Sequence, residues 1–390
     1  MTELPYQDLQ VLDMSQGVAG PSCGAMLGHQ GAEVIKVEPP DGDWIRAMGG
    51  GRDGLTALAI VNNIGKRSIC VDARQTAGRA LVEKLAAKAD VMIENFRPGV
   101  MQKLGLDYEA LAKINPALIY LSVTGFGDAG PWVQKPGTDS VLQAFTGMAW
   151  LNREDNGTPK RIGMLVPDTI SGLYATQAVS AALFARTRTG KGRHLKISLA
   201  ECCAAFQSAP IIDDALFAGQ AKPPVVVPSG VFATADGHMV LVSLRSDMWA
   251  RLCVALGRES WLQEPRYASN ELRGQHAAEI NRGVAQTLAT RPSKDWIEII
   301  EKADVLCTEV QDYAQLRAHP QMRQMGYFGE LPQAPYDTLP LPYLPGTPRH
   351  NAPPPAPRAG QHSREILREL GISESAIAEL EASNIVVQGA

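Results

Sequence analysis

The chain carries no surplus of positive charge: 37 Lys and Arg stand against 41 Asp and Glu, a formal net charge of −4 over 390 residues. A protein that binds nucleic acid needs an excess of cations to neutralise phosphate, so that partner is excluded, and basic groups are to be sought in a local pocket for a small anion. There is also no run of about twenty uninterrupted apolar residues, and MTELPYQDLQ has no basic segment leading into an apolar one. Neither a membrane span nor export is expected, and the expected location is cytoplasmic. Cys23, Cys70, Cys202, Cys203, Cys253 and Cys307 form no CxxC pair and no ligand spacing with the histidines. They read as free, buried thiols, with no metal site. Internal repeats are absent as well.

What is present is an alternation. At 390 residues the chain exceeds what one core commonly supports, so two domains are expected. Gln10–Asp13, 33–37, 68–72, Val91–Glu94 and 118–123 read as short apolar strands. Between them lie helices, the first started by Pro21 and ended by Gly31, and another over 76–89 with Leu81 and Leu85 on one side. This α/β order predicts a parallel sheet covered on both faces. Beyond about Val225 the pattern changes: strands 231–234 and 238–243 flank a hairpin signal at Ala235-Asp236-Gly237, and helices follow near 248–256, 275–290 and 293–303, a smaller α+β domain. The proline-rich stretch 331–358 is too broken for a helix and reads as an extended connector, after which 363–370 and 374–381 read as short helices. The expected division is a large domain over 1–200, a connector helix over 201–224, the small domain over 225–315, a proline-rich connector over 316–358, and a return to the large domain over 359–390.

One acid stands out. In RIGMLVPDTISGLYATQAV, Asp168 lies between an apolar run and the start of a long helix of small residues. Val166-Pro167 should bring the chain in extended, which puts Asp168 where an N-cap belongs, its carboxylate kept ionised by free N–H groups and the positive end of the dipole. Such a placement suits a nucleophile. Gly125-Phe126-Gly127-Asp128-Ala129-Gly130 fits the dinucleotide pattern GxGxxG letter for letter, but Pro131 and Pro136 intervene before any helix can open onto a pyrophosphate, so an oxidoreductase is not expected.

Seven blocks in order, AGPSCGAMLGHQGAEVIKVEPPDGDWIR, GKRSICVD, ENFRPGVMQKLGL, INPALIYLSVTGFGDAGPW, KPGTDSVLQAFTGM, PDTISGLYA and GKGRHLKISL, followed by DGHMVLVSL, resemble the class III coenzyme A transferases, the CaiB/BaiF family. The resemblance implies a large domain with a Rossmann-like parallel sheet built from both termini, a smaller α+β domain, and two chains interlocked as a homodimer. It implies acyl-CoA and a small carboxylic acid as substrates, succinyl-CoA among the donors, and no tightly bound cofactor.

Coenzyme A brings a diphosphate and a 3′-phosphate, which call for cations at the carboxyl ends of the strands. Arg46, Lys66, Arg67, Arg97, Lys103 and Lys135 are the candidates, and Asn95-Phe96 matches the family's pair against the nucleotide. Pro39 stands where the family often has arginine, so that phosphate contact is either absent or supplied by another residue such as Arg46. Gln16 matches the region that lines the reaction centre, where its amide would donate to an acyl oxygen as charge develops.

The resemblance assigns Asp168 as the nucleophile that passes through a mixed anhydride and an aspartyl-CoA thioester. The family's glycine-rich closing loop is reduced here to Pro228-Ser229-Gly230, and a different closure or a larger acceptor pocket is expected. The rival is an α-methylacyl-CoA racemase, whose histidine before the aspartate of Gly137-Thr138-Asp139 is here Thr138, and a threonine is no base at neutral pH. His29, His194 and His238 read as structural or solvent-facing, with approach to a site from the other domain left open for His238. Tyr174, Met148, Trp150 and Met164 read as core or as walls of the acyl pocket.

Overall fold

Val11 and Leu12 of the first strand, β1 (Gln10–Asp13), are shut from solvent, as a parallel strand covered on both faces requires. The computed structural model describes residues 4–154, 156–217, 220, 224, 226–348 and 353–389. It divides into two units, Met1–Ile211 with Gly326–Ala390, and Ile212–Met325.

In the first unit, β1 leads into α1 (Ala19–His29), which opens two residues before Pro21, because proline is tolerated anywhere in a first turn. β2 (Glu33–Glu38) follows, then a tiny hairpin, β3 (Gly51–Arg52) and β4 (Leu55–Thr56), and α2 (Ala57–Asn63), capped by the Thr56 hydroxyl accepting from the Ala59 N–H. The alternation continues through β5 (Arg67–Val71), α3 (Thr76–Lys88), β6 (Val91–Glu94), the short α4 (Val100–Leu104) and α5 (Tyr108–Ile114), and β7 (Ile119–Thr124). After β7 come α6 (Asp139–Phe145), α7 (Met148–Leu151), the long α8 (Val166–Thr189) and β8 (Arg193–Ser198). In place of one connector helix over 201–224 there are α9 (Leu199–Phe206) and α10 (Ser208–Leu216); residues 218–219 and 221–223 lie outside the described residues.

The second unit holds β9 (Ser229–Ala233) and β10 (His238–Val242) as the expected hairpin, followed by α11 (Ser246–Ala255), α12 (Asn270–Gln275), α13 (Ala277–Leu288), α14 (Ser293–Lys302), β11 (Leu306–Glu309), α15 (Tyr313–Ala318) and α16 (Pro320–Gln324). Met239 and Leu241 alternate inward from β10 onto Trp249, Ile280, Val284 and Ile300.

The chain then re-enters the first unit. The proline-rich stretch is no simple connector: β12 (Phe328–Pro332) and β13 (Thr338–Pro342) pair antiparallel, and Leu331 and Leu341 bury against Leu55, Ile60 and Ile64. Proline breaks helices but is admitted to a ribbon made of two edge strands. Residues 349–352 lie outside the described residues. α17 (Ser363–Glu369), α18 (Glu374–Ala382) and β14 (Val386–Val387) close the chain.

The main sheet runs β14-β5-β2-β1-β6-β7-β8, all parallel except β14. One face is covered by α1, α8 and α9, the other by α3, α17 and α18. From β1 the chain builds outward through β2 and β5, then returns to β6 on the other side of β1 and builds outward through β7 and β8. The switch point therefore lies between β1 and β6, where the loops after these strands diverge and leave a crevice. Across the first face α1 and α8 touch closely: a Cβ added to Gly172 would lie 1.9 Å from the Ser22 hydroxyl.

Candidate active site

The loop after β1 is held from beneath by buried charges. Asp13, fully enclosed, accepts from the Ser15 N–H at 3.0 Å and from Lys66 Nζ at 2.6 Å. Lys66 also donates to the carbonyl of Pro21 at 2.8 Å and to Asn63 at 3.3 Å. Lys36 Nζ lies 3.1 Å from Asp43 and donates to the Ser15 carbonyl. The Asp43 carboxylate in turn accepts the Gly17 N–H at 3.1 Å. Burial pushes Asp13 up, but Lys36 and Lys66 outweigh it and hold the carboxyl below its ordinary range. Burial, with Lys36 adding to it against Asp13, pulls Lys66 down to about 8. Gly17 is required here, since its φ is +78° and a Cβ would fall 2.4 Å from the Trp44 ring.

Across the switch point the Asn95 side chain clamps Gln16, accepting its N–H at 2.7 Å and donating to its carbonyl at 2.6 Å. Lys66 and Arg46, expected against phosphates, are engaged elsewhere. Lys66 sits in the buried network, and Arg46 is bidentate to Glu38 at 2.7 Å through Nε and Nη2, with Nη1 on the Pro357 carbonyl at 3.0 Å. Arg67 bridges Glu33, Glu365 and Glu369. Arg97, Lys103 and Lys135 are exposed, with Lys135 Nζ 3.3 Å from the centroid of Trp132. Phe96 and Arg97 line a cleft of about 170 Å³ at the ends of β6, β7 and β8. His194 faces the same cleft, stacked on Tyr108 and within 2.9 Å of the Ser122 hydroxyl, and burial lowers its pKa.

Asp168 departs from expectation in one respect. α8 opens at Val166, so Asp168 is the third helical residue and caps nothing. Pro167 belongs to the first turn, where a fixed φ favours the helix, and does not mark an extended approach. The carboxylate is half-buried, and no described residue donates a hydrogen bond to it or pairs with it. Burial first, and the charge of Asp139 second, push its pKa up to about 7, so it is not held ionised as the N-cap reading implies.

Asp139 opens α6 and is 4% exposed. Its Oδ2 accepts the Asp168 N–H at 3.3 Å and its Oδ1 accepts from Gln143 at 2.8 Å. Gln143 also donates to the carbonyls of Ile162 and Met164 and accepts the Ile162 N–H, so one amide ties down the segment that enters α8. Asp139 and Gln143 were not among the expected site residues. Their i, i+4 spacing in DSVLQ was the available signal. Thr138 is exposed. Val18 and Leu165 share one apolar cluster, which brings the Gln16 loop and the entry to α8 together.

The sequence matches the model of CoA-transferase family III over residues 6–363. It is 32% identical over 386 residues to the succinate–glutarate CoA-transferase of Agrobacterium fabrum, covering 94% of this chain and 96% of that one. It is 31% identical to the succinyl-CoA–D-citramalate CoA-transferase of Chloroflexus aurantiacus, covering 98% of each. Among solved structures, a CaiB/BaiF family protein from Brucella suis superposes with a TM-score of 0.85 at 31% identity, covering 95% of this chain and all of that one.

Proposed function

Because the chain belongs to CoA-transferase family III, we propose that it moves coenzyme A from an acyl-CoA, succinyl-CoA foremost, to a small carboxylic acid, with Asp168 as the nucleophile. The observation that carries this reading is the isolation of the Asp168 carboxylate. An acid kept for structure is capped or paired, whereas this one is half-buried with no donor among the described residues and a like charge beside it. Desolvation raises its energy as an anion, and forming a covalent bond relieves it.

In the first step an Asp168 oxygen attacks the thioester carbon, and the C–S bond breaks with its electron pair leaving on the CoA sulfur. The thiolate then attacks the aspartyl carbonyl, the anhydride C–O bond breaks, and the donor acid leaves as a carboxylate. The acceptor acid runs the two steps in reverse. No proton is transferred, and water must be kept out because it would hydrolyse both intermediates. The Gln16 amide is read as a donor to the developing oxyanion, with the loop geometry set by Asn95 and Gly17 in support. Arg97, Lys103 and Lys135 are read as the phosphate cations, with Phe96 beside the nucleotide. Arg46 and Lys66 then act beneath the loop, as braces.

The chain is further read as half of an interlocked homodimer working in the cytoplasm. Leu173 and Phe184 of α8 and Phe206 of α9 are 51%, 65% and 58% exposed, which supports a covering partner. Light scattering should return twice the chain mass. A racemase reading finds no support at Thr138, and it predicts deuterium uptake at the α-carbon from heavy water.

The direct test is trapping. Hydroxylamine added with acyl-CoA should leave a hydroxamate on Asp168, located by mass spectrometry, and Asp168→Ala should abolish both adduct and transfer. An adduct elsewhere, or undiminished transfer by the variant, would overturn the proposal.

A further inference from the structure

Around Asp168 the structure supplies a second acid where a nucleophilic anion would be expected to have a cation. Asp139 is buried, its Oδ2 is on the Asp168 N–H at 3.3 Å, and its Oδ1 is fixed by Gln143 at 2.8 Å. The arrangement is rigid, since Gln143 is at the same time bonded to Ile162 and Met164 on the strand of chain entering α8. Resting on the reading of Asp168 as the nucleophile, we infer that Asp139 is a positioning residue whose negative charge displaces Asp168 from free carboxylate toward its covalent, uncharged forms.

Free Asp168 is an anion beside an anion. In the mixed anhydride, and again in the aspartyl-CoA thioester, its oxygen or carbonyl carbon is bonded and the negative charge has left, first on the thiolate and then on the released carboxylate. Repulsion by Asp139 and loss of hydration both act on the anion only, so both favour the intermediates over the resting state. Protonation neutralises Asp168 in the same way. Proton affinity and tendency to be acylated therefore move together, and the upward displacement of the Asp168 pKa is the visible half of the effect. The backbone bond adds geometry: it places the first turn of α8 at a fixed distance from α6, so the repulsion cannot be relieved by drift.

The other groups facing the pair do not cancel it. From α9, Cys203 contributes a thiol that burial pushes up to about 11 and that stays neutral. Burial pushes the Asp139 carboxyl above its ordinary range, and the Gln143 amide, the Asp168 N–H and Arg161, which lies on the exposed segment before α8 and donates to Ser140, each draw it back toward the charged form. α1 presents Cys23, whose thiol burial also keeps neutral, and β7 and β8 face α8 with Leu121, Val123 and Ile197.

Two variants test the inference by opposite shifts. Asp139→Asn removes the charge and keeps an oxygen available to the Asp168 N–H. The acid limb of kcat/KM should fall by about one pH unit, and the hydroxamate trapped on Asp168 at steady state should drop several-fold. Arg161→Glu lies on the surface, gives up the hydrogen bond to Ser140 of α6 but none to Asp139 or Asp168, and should move the same limb upward. Circular dichroism confirms folding of each, and the surface variant carries the test alone if Asp139→Asn does not fold. Limbs that stay in place, or a trapped fraction that does not change, would overturn the inference while wild-type trapping on Asp168 still stands. Absence of any wild-type adduct would instead remove the nucleophile reading beneath it.

Discussion

Asn95 satisfies both main-chain groups of Gln16, taking its N–H at 2.7 Å and giving an N–H to its carbonyl at 2.6 Å, across the gap between β1 and β6. A primary amide is the one side chain that offers donor and acceptor in this planar arrangement. Asn95→Leu has similar volume and leaves two partly buried backbone groups unpaired, at a cost of about 1–3 kcal/mol for each group left buried. On the proposal that Gln16 lines the reaction centre, the expected outcome is a ten- to hundredfold loss, to order of magnitude, in kcat/KM for CoA transfer, beyond what that stability loss accounts for. Steady-state kinetics beside a thermal melt separates the two.

The buried network under the same loop gives a second expectation. Lys66→Met leaves Asp13 enclosed with Lys36, 3.9 Å away, as its one remaining cation among the described residues. Breaking a buried pair on one side costs about 3–5 kcal/mol, whereas removing both charges costs less. Lys66→Met should therefore be strongly destabilised in a denaturant melt, and Asp13→Leu combined with Lys66→Met should recover part of the loss. Hydrogen exchange at Gln16 and Gly17 should quicken in the single variant, since the Ser15 and Gly17 contacts depend on that network.

How far these features could be read from the sequence depended on whether a local pattern encoded them. Gln10–Asp13 and Val91–Glu94 are strands over the residues the apolar runs marked, and 33–37, 68–72 and 118–123 each end within one residue of the strand found. A continuous apolar run between turn residues has few other solutions. The start of α8 was missed because Pro167 fits two local readings, an extended approach or a first helical turn, and contacts distant in sequence, such as that of Gln143 with Met164, bear on which is taken. Lys66 and Arg46 look like free cations in the sequence, because Asp13 and Glu38, which hold them, are 53 and 8 residues away. The ribbon of β12 and β13 was obscured for a similar reason: its stability comes from Leu55, Ile60 and Ile64, far away in the chain. Asp139 lies within a recognised block, but nothing local tells that it ends against Asp168.

Asp168 should also be visible in stability. Its pKa of about 7 in the fold exceeds the unfolded value near 3.9, so the folded chain holds more protons between these two values. Stability then falls as pH rises through that window, and the full penalty is present above pH 7. Asp168→Asn cannot ionise and loses this slope. The variant should match the parent near pH 3, exceed it at pH 8 by about 1–3 kcal/mol, less than the full shift implies because the carboxylate is partly exposed to screening solvent, and lose transfer by about a thousandfold or more. Denaturant melts across the pH range check the first part and product assays the second. A variant less stable than the parent at pH 8 would contradict the reading of an uncompensated carboxylate.

The helix that carries Asp168 lies close against α1. Gly172 lies one turn after Asp168, and a methyl group there would fall 1.9 Å from the Ser22 hydroxyl and 3.1 Å from the Ser22 Cβ. Ser22 cannot rotate away freely, because its hydroxyl donates to the Ala19 carbonyl at 2.9 Å. Gly172→Ala would ordinarily favour a helix by about 1 kcal/mol. Here overpacking wins, and a net loss of about 1–3 kcal/mol is expected, with α8 displaced from α1 and transfer reduced. Adding Ser22→Gly removes the clashing atoms, so the double variant should regain both stability and activity, beyond the sum of the single changes. A double-mutant cycle measured by denaturant melts and by kcat gives that coupling. Additive effects would mean that the two helices do not touch at this point, and the fixed placement of Asp168 would then lack its support on the α1 side.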